Sequence, residues 1–362
     1  MITKIPKNAW YPAWLREVLE SIRPLEGELQ VKVQARLNCL TRPPGSLGRL
    51  EEAARQYAVI RGQERPKLQK KVVYIFAADH GVTEEGVSAY PRTVTAQMVY
   101  HILRGGAAIN VLARHVGAEV RVVDIGVDHD FNQLAGLIHK KVLRGTRNLG
   151  KGPAMTRQEA LIAMEEGCGL ARQAAEDGID LLGTGDIGIG NAIPSSAIAA
   201  VMTGKPAHAV TGKGTGHEAK GLRQQNRIIE QAIELNRPDP RDPLDVLAKV
   251  GGLEIAGIAG FLLGASACKL PVVVEGFISA AGALIAVRLH PPIRDYIYIS
   301  HRSTERGHRV MCAALGLPPL LDLDLRLGEG TGACLGISLV EAGVKVLNEM
   351  AIFEEATASQ RS

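Results

Sequence analysis

The stretch Gly183-Thr184-Gly185-Asp186-Ile187-Gly188-Ile189-Gly190-Asn191 decides how this chain is read. It follows the apolar run Ile179 to Leu182 and precedes Pro194-Ser195-Ser196 and an Ala/Ile-rich segment, so it reads as a strand, a glycine loop and then a helix. In an α/β protein that is where a ligand sits. The glycines at 183, 185, 188 and 190 carry no Cβ, so backbone N–H groups can approach an anion, and the following helix start adds unpaired donors. Phosphate is the ligand that suits such a loop first. The spacing matches neither a Walker A loop, which needs Gly-Lys-Ser/Thr at its end, nor a dinucleotide fingerprint with its acidic partner. Asp186 is the unusual residue, because a carboxylate aimed into a phosphate cradle repels the phosphate. Either it faces a cationic part of the ligand, or the stretch is a glycine-rich βα turn with Asp186 as a helix cap.

Outward from this point the pattern repeats. Val72 to Phe76 is a continuous apolar run ending in Ala77-Ala78-Asp79-His80-Gly81, and Val120 to Val123 ends in Asp124-Ile125-Gly126. Pro271 to Val274 ends in Glu275-Gly276-Phe277, and Tyr296 to Ile299 ends in Ser300-His301. Runs of this kind are strands buried on both faces, and helical segments separate them. The expected fold is an α/β, Rossmann-like parallel sheet whose strand ends converge on one crevice.

Before Val72 the chain reads as helices, Trp14 to Ile22 and Leu29 to Leu40, then a third begun by Ser46 with Leu47, Leu50, Ala54 and Tyr57 as its buried stripe. The charged connector Gln63 to Lys71 marks a domain boundary. Thr156 with Glu159 predicts a capping box, and Asp245 begins a helical stretch before Gly251-Gly252. Leu253 to Ser266, with Gly257, Gly260 and Gly264, offers small residues for close packing on the sheet. A last helix, Ala333 to Phe353, is placed to join the N-terminal helices as a small bundle, with a polar tail from Glu354.

The composition narrows the function. At 362 residues, with 46% hydrophobic residues, 40 glycines and 4% aromatics, the chain suits a parallel sheet covered by small-residue helices. A net charge of +4 without a basic run argues against nucleic acid. Five cysteines without a C-x-x-C pair argue against disulfide frameworks and zinc sites and for a reducing cytoplasm. The polar start after Met1 has no signal core, and Leu253 to Cys268 falls short of the roughly 20 residues of a spanning helix. A soluble protein is expected.

Chemistry has several candidate carriers. Glu329, between Gly328 and Gly330 and ahead of a helix, is either a general base held into the crevice or an acidic residue favouring a helix dipole. Asp79-His80 reads as a catalytic pair or a capped turn. Ser300-His301-Arg302-Ser303 and Gly212-Lys213-Gly214-Thr215-Gly216 offer hydroxyls and cations to a phosphate. No histidine spacing suggests a metal site, and no G-x-S-x-G elbow is present.

Together these residues resemble a known family. Arg42-Pro43-Pro44-Gly45-Ser46-Leu47-Gly48-Arg49-Leu50-Glu51, Ala78-Asp79-His80-Gly81-Val82 with Glu85-Gly86-Val87, and Gly183 to Pro194 are similar to nicotinate-nucleotide:dimethylbenzimidazole phosphoribosyltransferases. So are Pro240-Arg241-Asp242, Lys249-Val250-Gly251-Gly252, Ser300-His301 and Arg326-Leu327-Gly328-Glu329-Gly330, in the family's order. The resemblance implies transfer of phosphoribosyl from nicotinate mononucleotide to a benzimidazole in cobalamin lower-ligand assembly. It also implies small-molecule substrates, a cytoplasmic homodimer, no metal and no cofactor. A large domain over 67–332 and a small helical domain from 1–66 and 333–362 would follow. Glu329 falls on the family's general base, and Asp186, where Glu is familiar, would stand near the cationic sugar of the transition state. Gly185, Gly188, Gly190 and Asn191, with Ser300 and His301, would hold the phosphate. Tyr90, Gln97 and Met98 fall around the aromatic base, with Leu327 in the glutamate motif. Gln225 occupies the place of a familiar Lys, so Lys213 or Arg227 would supply that charge. A nucleotide-dependent dehydrogenase and a catalytically silent, nucleotide-binding paralogue are the rival readings.

Overall fold

In a computed structural model, which describes residues 11–25, 27–212 and 219–353, the chain builds one six-stranded sheet in the order β3-β2-β1-β4-β5-β6. The strands are β1 (Lys71–Ala78), β2 (Ala118–Gly126), β3 (Leu137–His139), β4 (Leu181–Ile187), β5 (Val272–Val274) and β6 (Ile297–Ile299). Every pairing is parallel. The five runs read from the sequence are all strands; β3, only three residues long, gave no apolar run to read.

Strand β1 shows why the sheet is buried on both faces. Val72, Tyr74, Phe76 and Ala78 point into a core shared with the helices Arg157–Glu176 and Leu253–Ala267. Val73, Ile75 and Ala77 point the other way, onto the helices Arg49–Arg61, Val94–Leu103, Ala108–Val116 and Thr331–Glu349. With side chains alternating at period 2, a strand between two helical layers is apolar at every position.

Three local expectations need correcting. The glycine stretch is not all loop, because β4 continues through Gly183, Thr184, Gly185 and Asp186 to Ile187, leaving only Gly188 to Asn191 as the turn before the helix Ala192–Thr203. Ser46 does not cap the third helix; that helix begins at Arg49 after Gly48, and the preceding segment is held by the buried Arg42–Glu51 ion pair at 2.7 Å and by Leu47 N–H donating to Glu51 at 2.9 Å. Asp242, not Asp245, caps the helix Pro243–Val250, accepting from the Leu244 and Asp245 amides. The capping box stands as read, with Glu159 N–H donating to Thr156 Oγ1 at 3.1 Å and Thr156 N–H to Glu159 at 2.6 Å.

The small residues of Leu253–Ala267 serve two surfaces. Gly257 lies against Ile125 and Phe76 of the sheet, while a Cβ on Gly260 would come within 1.8 Å of the Met164 carbonyl. The two helices therefore touch backbone to backbone, a separation that a larger side chain would prohibit. A smaller cluster of Val33, Leu37, Leu40, Ala54, Ala58 and Leu347 joins the helices Gly27–Cys39 and Arg49–Arg61 to the end of Thr331–Glu349. Among the described residues no helix is long and apolar enough to cross a membrane.

Candidate active site

The sheet winds outward in both directions from the β1/β4 pair, and strand order reverses there. A crevice opens at the carboxyl ends of strands at such a point. Here it is a cavity of about 480 Å³ lined by Asp186 and the turn Gly188 to Asn191 from β4, Glu275 from β5, His301 from β6, and Arg326 to Glu329. A second cavity, about 470 Å³, lies between the helix Arg49–Arg61 and Pro318. It contains none of the residues at the ends of β1 and β4.

Asp186, the penultimate residue of β4, has its carboxylate buried and accepting a hydrogen bond from Asn191 Nδ2 at 3.1 Å. It is not a helix cap: Asn191 occupies that position, and Asp186 faces the cavity. Burial first, then the neighbouring carboxylates Glu254 and Glu329, push Asp186 up to about 7, against the pull of Asn191 and His80.

Glu329 stands on an unusual backbone. Gly328, Glu329 and Gly330 all have positive φ, at 84°, 61° and 88°, and the helix Thr331–Glu349 starts directly after them. A non-glycine residue in the left-handed region costs about 1 kcal/mol, so the surroundings must enforce it. They do so through close contact with β4. A Cβ on Gly185 would lie 2.8 Å from the Glu329 carbonyl carbon and 2.8 Å from Gly330 N. The glycine in the strand thus makes room for the loop that carries the carboxylate. Burial raises the Glu329 carboxyl above its ordinary value, and His101 pulls it partly back.

Two further pairs shape the electrostatics. His80 Nε2 lies 2.9 Å from Glu254 Oε1, both fully buried beneath the glycine turn, where a Cβ on Gly188 would lie 3.2 Å from the same nitrogen. Burial pulls this imidazole down, but Glu254 together with Asp79 and Asp186 pulls it up, and the net direction is up. His301 behaves oppositely. Burial pushes it down to about 4, leaving it neutral near pH 7, with Nδ1 2.9 Å from Ser300 Oγ. Its 3.7 Å approach to Glu275 is therefore a polar contact and not an ion pair.

The structure brings together Asp186, Glu329, Tyr90, Met98, Gly188, Gly190, Asn191, Gln225, His301 and Leu327 around the one cavity. Other sequence candidates stand elsewhere. Gly185 supports Glu329 from below, and Ser300 is fully buried with its hydroxyl on His301. Gln97 is exposed on the helix Val94–Leu103 and is not part of the lining. Arg227 is exposed on the helix Ala219–Asn236. Lys213 lies outside the described residues. Gln225 lines the cavity, but its Nε2 donates to the Val87 carbonyl at 3.1 Å. Of the glycine-turn amides, Ile189 N–H already donates to Thr95 Oγ1 at 3.1 Å. Glu275, Ser303 and Arg326 also line the cavity. Glu275 could have been suspected from its place at a strand end, and Arg326 from its place in the glutamate motif. Among the described residues no group of three His, Cys, Asp or Glu side chains is arranged to hold a metal ion.

A parallel sheet in this order, with buried carboxylates and a glycine turn at its switch point, defines a nucleotide-handling α/β enzyme. A profile of the phosphoribosyltransferase family matches residues 22–358. The nicotinate-nucleotide–dimethylbenzimidazole phosphoribosyltransferase of Geobacter sulfurreducens is 61% identical over 342 residues, covering 94% of this chain and 97% of its own. The protein of the same name from Chlorobium chlorochromatii is 51% identical over 347 residues, covering 96% and 98%. The crystal structure of CobT from Thermus thermophilus superposes with a TM-score of 0.88 at 46% identity, covering 91% of this chain and 98% of that one. The chain belongs to the nicotinate-nucleotide–dimethylbenzimidazole phosphoribosyltransferase family, as its motifs implied.

Proposed function

We propose that the cavity carries the phosphoribosyl transfer for which the relatives are named, with Glu329 as general base and Asp186 as the charge beside the reacting sugar. In this reaction C1′ of nicotinate mononucleotide passes to a ring nitrogen of dimethylbenzimidazole or a related base, giving α-ribazole phosphate and nicotinate for the cobalamin nucleotide loop. The observation that carries the reading is Glu329, held at φ 61° on the cavity wall with its carboxyl raised by burial.

The pyridinium of the donor is already a good leaving group. The bond from C1′ to its nitrogen breaks with both electrons going to the ring, and nicotinate departs. A lone pair on one acceptor nitrogen forms the new bond to C1′ while the other nitrogen loses its proton. A carboxylate whose pKa is raised toward neutrality is suited to take that proton. The ionised form of Asp186 would favour the positive charge that develops on the sugar. Neutral His301, Ser303 and Arg326 are the polar and cationic lining left for the phosphate. Tyr90, Met98, Val87 and Val94 supply an apolar slot for a flat aromatic acceptor.

The small cluster joining Val33, Leu37, Ala54 and Leu347 supports a small helical domain from both chain ends beside the large domain 67–332. A cytoplasmic homodimer completes the proposal; the exposed Tyr90 and Leu327 at the cavity rim and the free cysteines are consistent with it.

The test incubates the protein with nicotinate mononucleotide and a panel of dimethylbenzimidazole, benzimidazole, adenine and p-cresol, following nicotinate release and the new riboside phosphate. Glu329→Gln should lose about 100- to 10,000-fold in turnover with modest loss of nucleotide binding. Near-normal turnover in that variant refutes the base assignment; nucleotide binding without product from any acceptor leaves a silent binding protein.

A further inference from the structure

The helix Thr331–Glu349 begins without a cap of its own. Its N-cap residue is Gly330, which has no side chain to offer, and the first amides of a helix need an acceptor. Glu275, from the end of β5, supplies it. Its carboxylate is fully buried and accepts from Gly332 N–H at 3.2 Å and Ala333 N–H at 2.6 Å. Glu275 is in turn fixed from below, its own N–H donating to Thr184 Oγ1 at 3.0 Å.

These bonds act close to Glu329. Thr331 ties the left-handed loop to the helix start, its N–H and Oγ1 both donating to the Gly328 carbonyl at 3.1 and 2.8 Å, and Cys334 N–H donates to the Gly330 carbonyl. The helix start is pressed between neighbours as well, since a Cβ on Gly332 would come within 2.0 Å of His301 Nδ1. The loop therefore inherits its position from the clamp on Gly332 and Ala333. From this geometry we infer that Glu275 is a positioning residue for catalysis, its carboxylate clamping the helix start that presents Glu329 to the cavity.

The inference rests on the reading of Glu329 as base. Three groups face the Glu275 carboxylate from the elements packed on it: Asp186 on β4, His301 after β6 and Cys334 on the clamped helix. Burial and Asp186 push the Glu275 carboxyl up to about 8, against the backbone amides of Ala333, Gly332 and Gly276, so the clamp is a set of hydrogen bonds to its oxygens and does not depend on a full charge there.

Glu275→Gln is the direct test. The amide keeps the shape but presents only one acceptor, and its NH₂ group faces an N–H donor. The helix start should shift, and a displacement of about 1 Å at a reacting group can cost about 100-fold in rate. A fall of that order in kcat, with KM for nicotinate mononucleotide little changed, is expected. The acidic limb of the kcat–pH profile should persist in Glu275→Gln at a lower plateau, whereas in Glu329→Gln it should lose the Glu329 step and keep only that of Asp186 near pH 7. Unchanged kcat overturns the inference, as does loss of the same step in Glu275→Gln, which would make Glu275 the base itself. Loss of kcat only in proportion to loss of folded protein also overturns it. Glu275→Asp keeps a carboxyl group but is one methylene too short to reach both amides. It serves if the Gln variant fails to fold: intermediate kcat supports the clamp and wild-type kcat refutes it. If the wild type makes no product, or Glu329→Gln turns over normally, the reading of the site fails instead. Amide hydrogen exchange at Gly332 and Ala333 then still decides the clamp, being faster in Glu275→Gln if it exists and unchanged if it does not.

Discussion

Gly185→Ala separates a strand glycine that supports catalysis from one that only packs. The substitution places a Cβ 2.8 Å from the Glu329 carbonyl carbon, 2.8 Å from Gly330 N and 3.0 Å from the Glu329 carbonyl oxygen. All three are backbone atoms, so no side-chain rotation relieves the contact. Ordinary van der Waals contact begins near 3.4 Å, and the loop must retreat by roughly 0.6 Å, carrying Glu329 with it. Overpacking of this size destabilises by about 1–3 kcal/mol. Because the atoms that move belong to the proposed base, the rate should fall by about 10- to 100-fold as well, since a misplacement near 1 Å costs about 100-fold. Gly183→Ala is the matched control on the same strand. Its Cβ meets side chains, Val73 at 2.9 Å and Ala333 and Ile337 at 3.3 Å, so it should lose stability without comparable loss of kcat. Thermal denaturation and steady-state turnover with nicotinate mononucleotide and dimethylbenzimidazole, on both variants at a temperature where each is folded, give the comparison. Equal kcat in the two variants would refute the reasoning that Gly185 exists to seat Glu329.

Asp186 adds a pH-dependent expectation. Its folded pKa, about 7, lies above the value of an unfolded aspartate, so the folded state binds the extra proton. Its contribution to stability is present at acid pH and lost as pH rises from about 4 through about 7, at roughly 1.4 kcal/mol per pH unit at most. Asp186→Asn should remove that loss, so its melting temperature relative to wild type should rise between pH 5 and pH 8 while turnover falls; a pH-independent difference would contradict the assignment. Activity of the wild type should fall on the acid side as Asp186, near pH 7, and Glu329, at a pH above the ordinary glutamate range, take up their protons, which a pH–rate profile measures. Thr156→Ala should cost about 1 kcal/mol in urea denaturation with kcat unchanged, because its capping box lies on a covering helix away from the cavity.

The strands and the principal candidates were legible in the sequence because each depends on local chemistry. A run such as Val72 to Phe76 is apolar at every position whichever helices eventually cover it, and a polar strand end signals the crevice whichever strand lies beside it. Asp186 and Glu329 stood out for the same reason, as acids among glycines. Gln225 shows where such reading stops. It stands at a familiar position, yet its amide is committed to the Val87 carbonyl, a partner far away in the chain.

The sequence by itself determined the parallel α/β architecture, the capping box at Thr156 and the family motifs, because periodicity, capping and turn chemistry are properties of neighbouring residues. Only the tertiary structure decided that Gly183 and Gly185 lie within β4 and that Gly185 is small for the sake of Glu329. It alone paired His80 with Glu254 and placed Glu275 on the uncapped start of the last helix. Those facts depend on contacts between segments far apart in the chain, and a contact of that kind is fixed by how the layers pack, which no window of sequence contains.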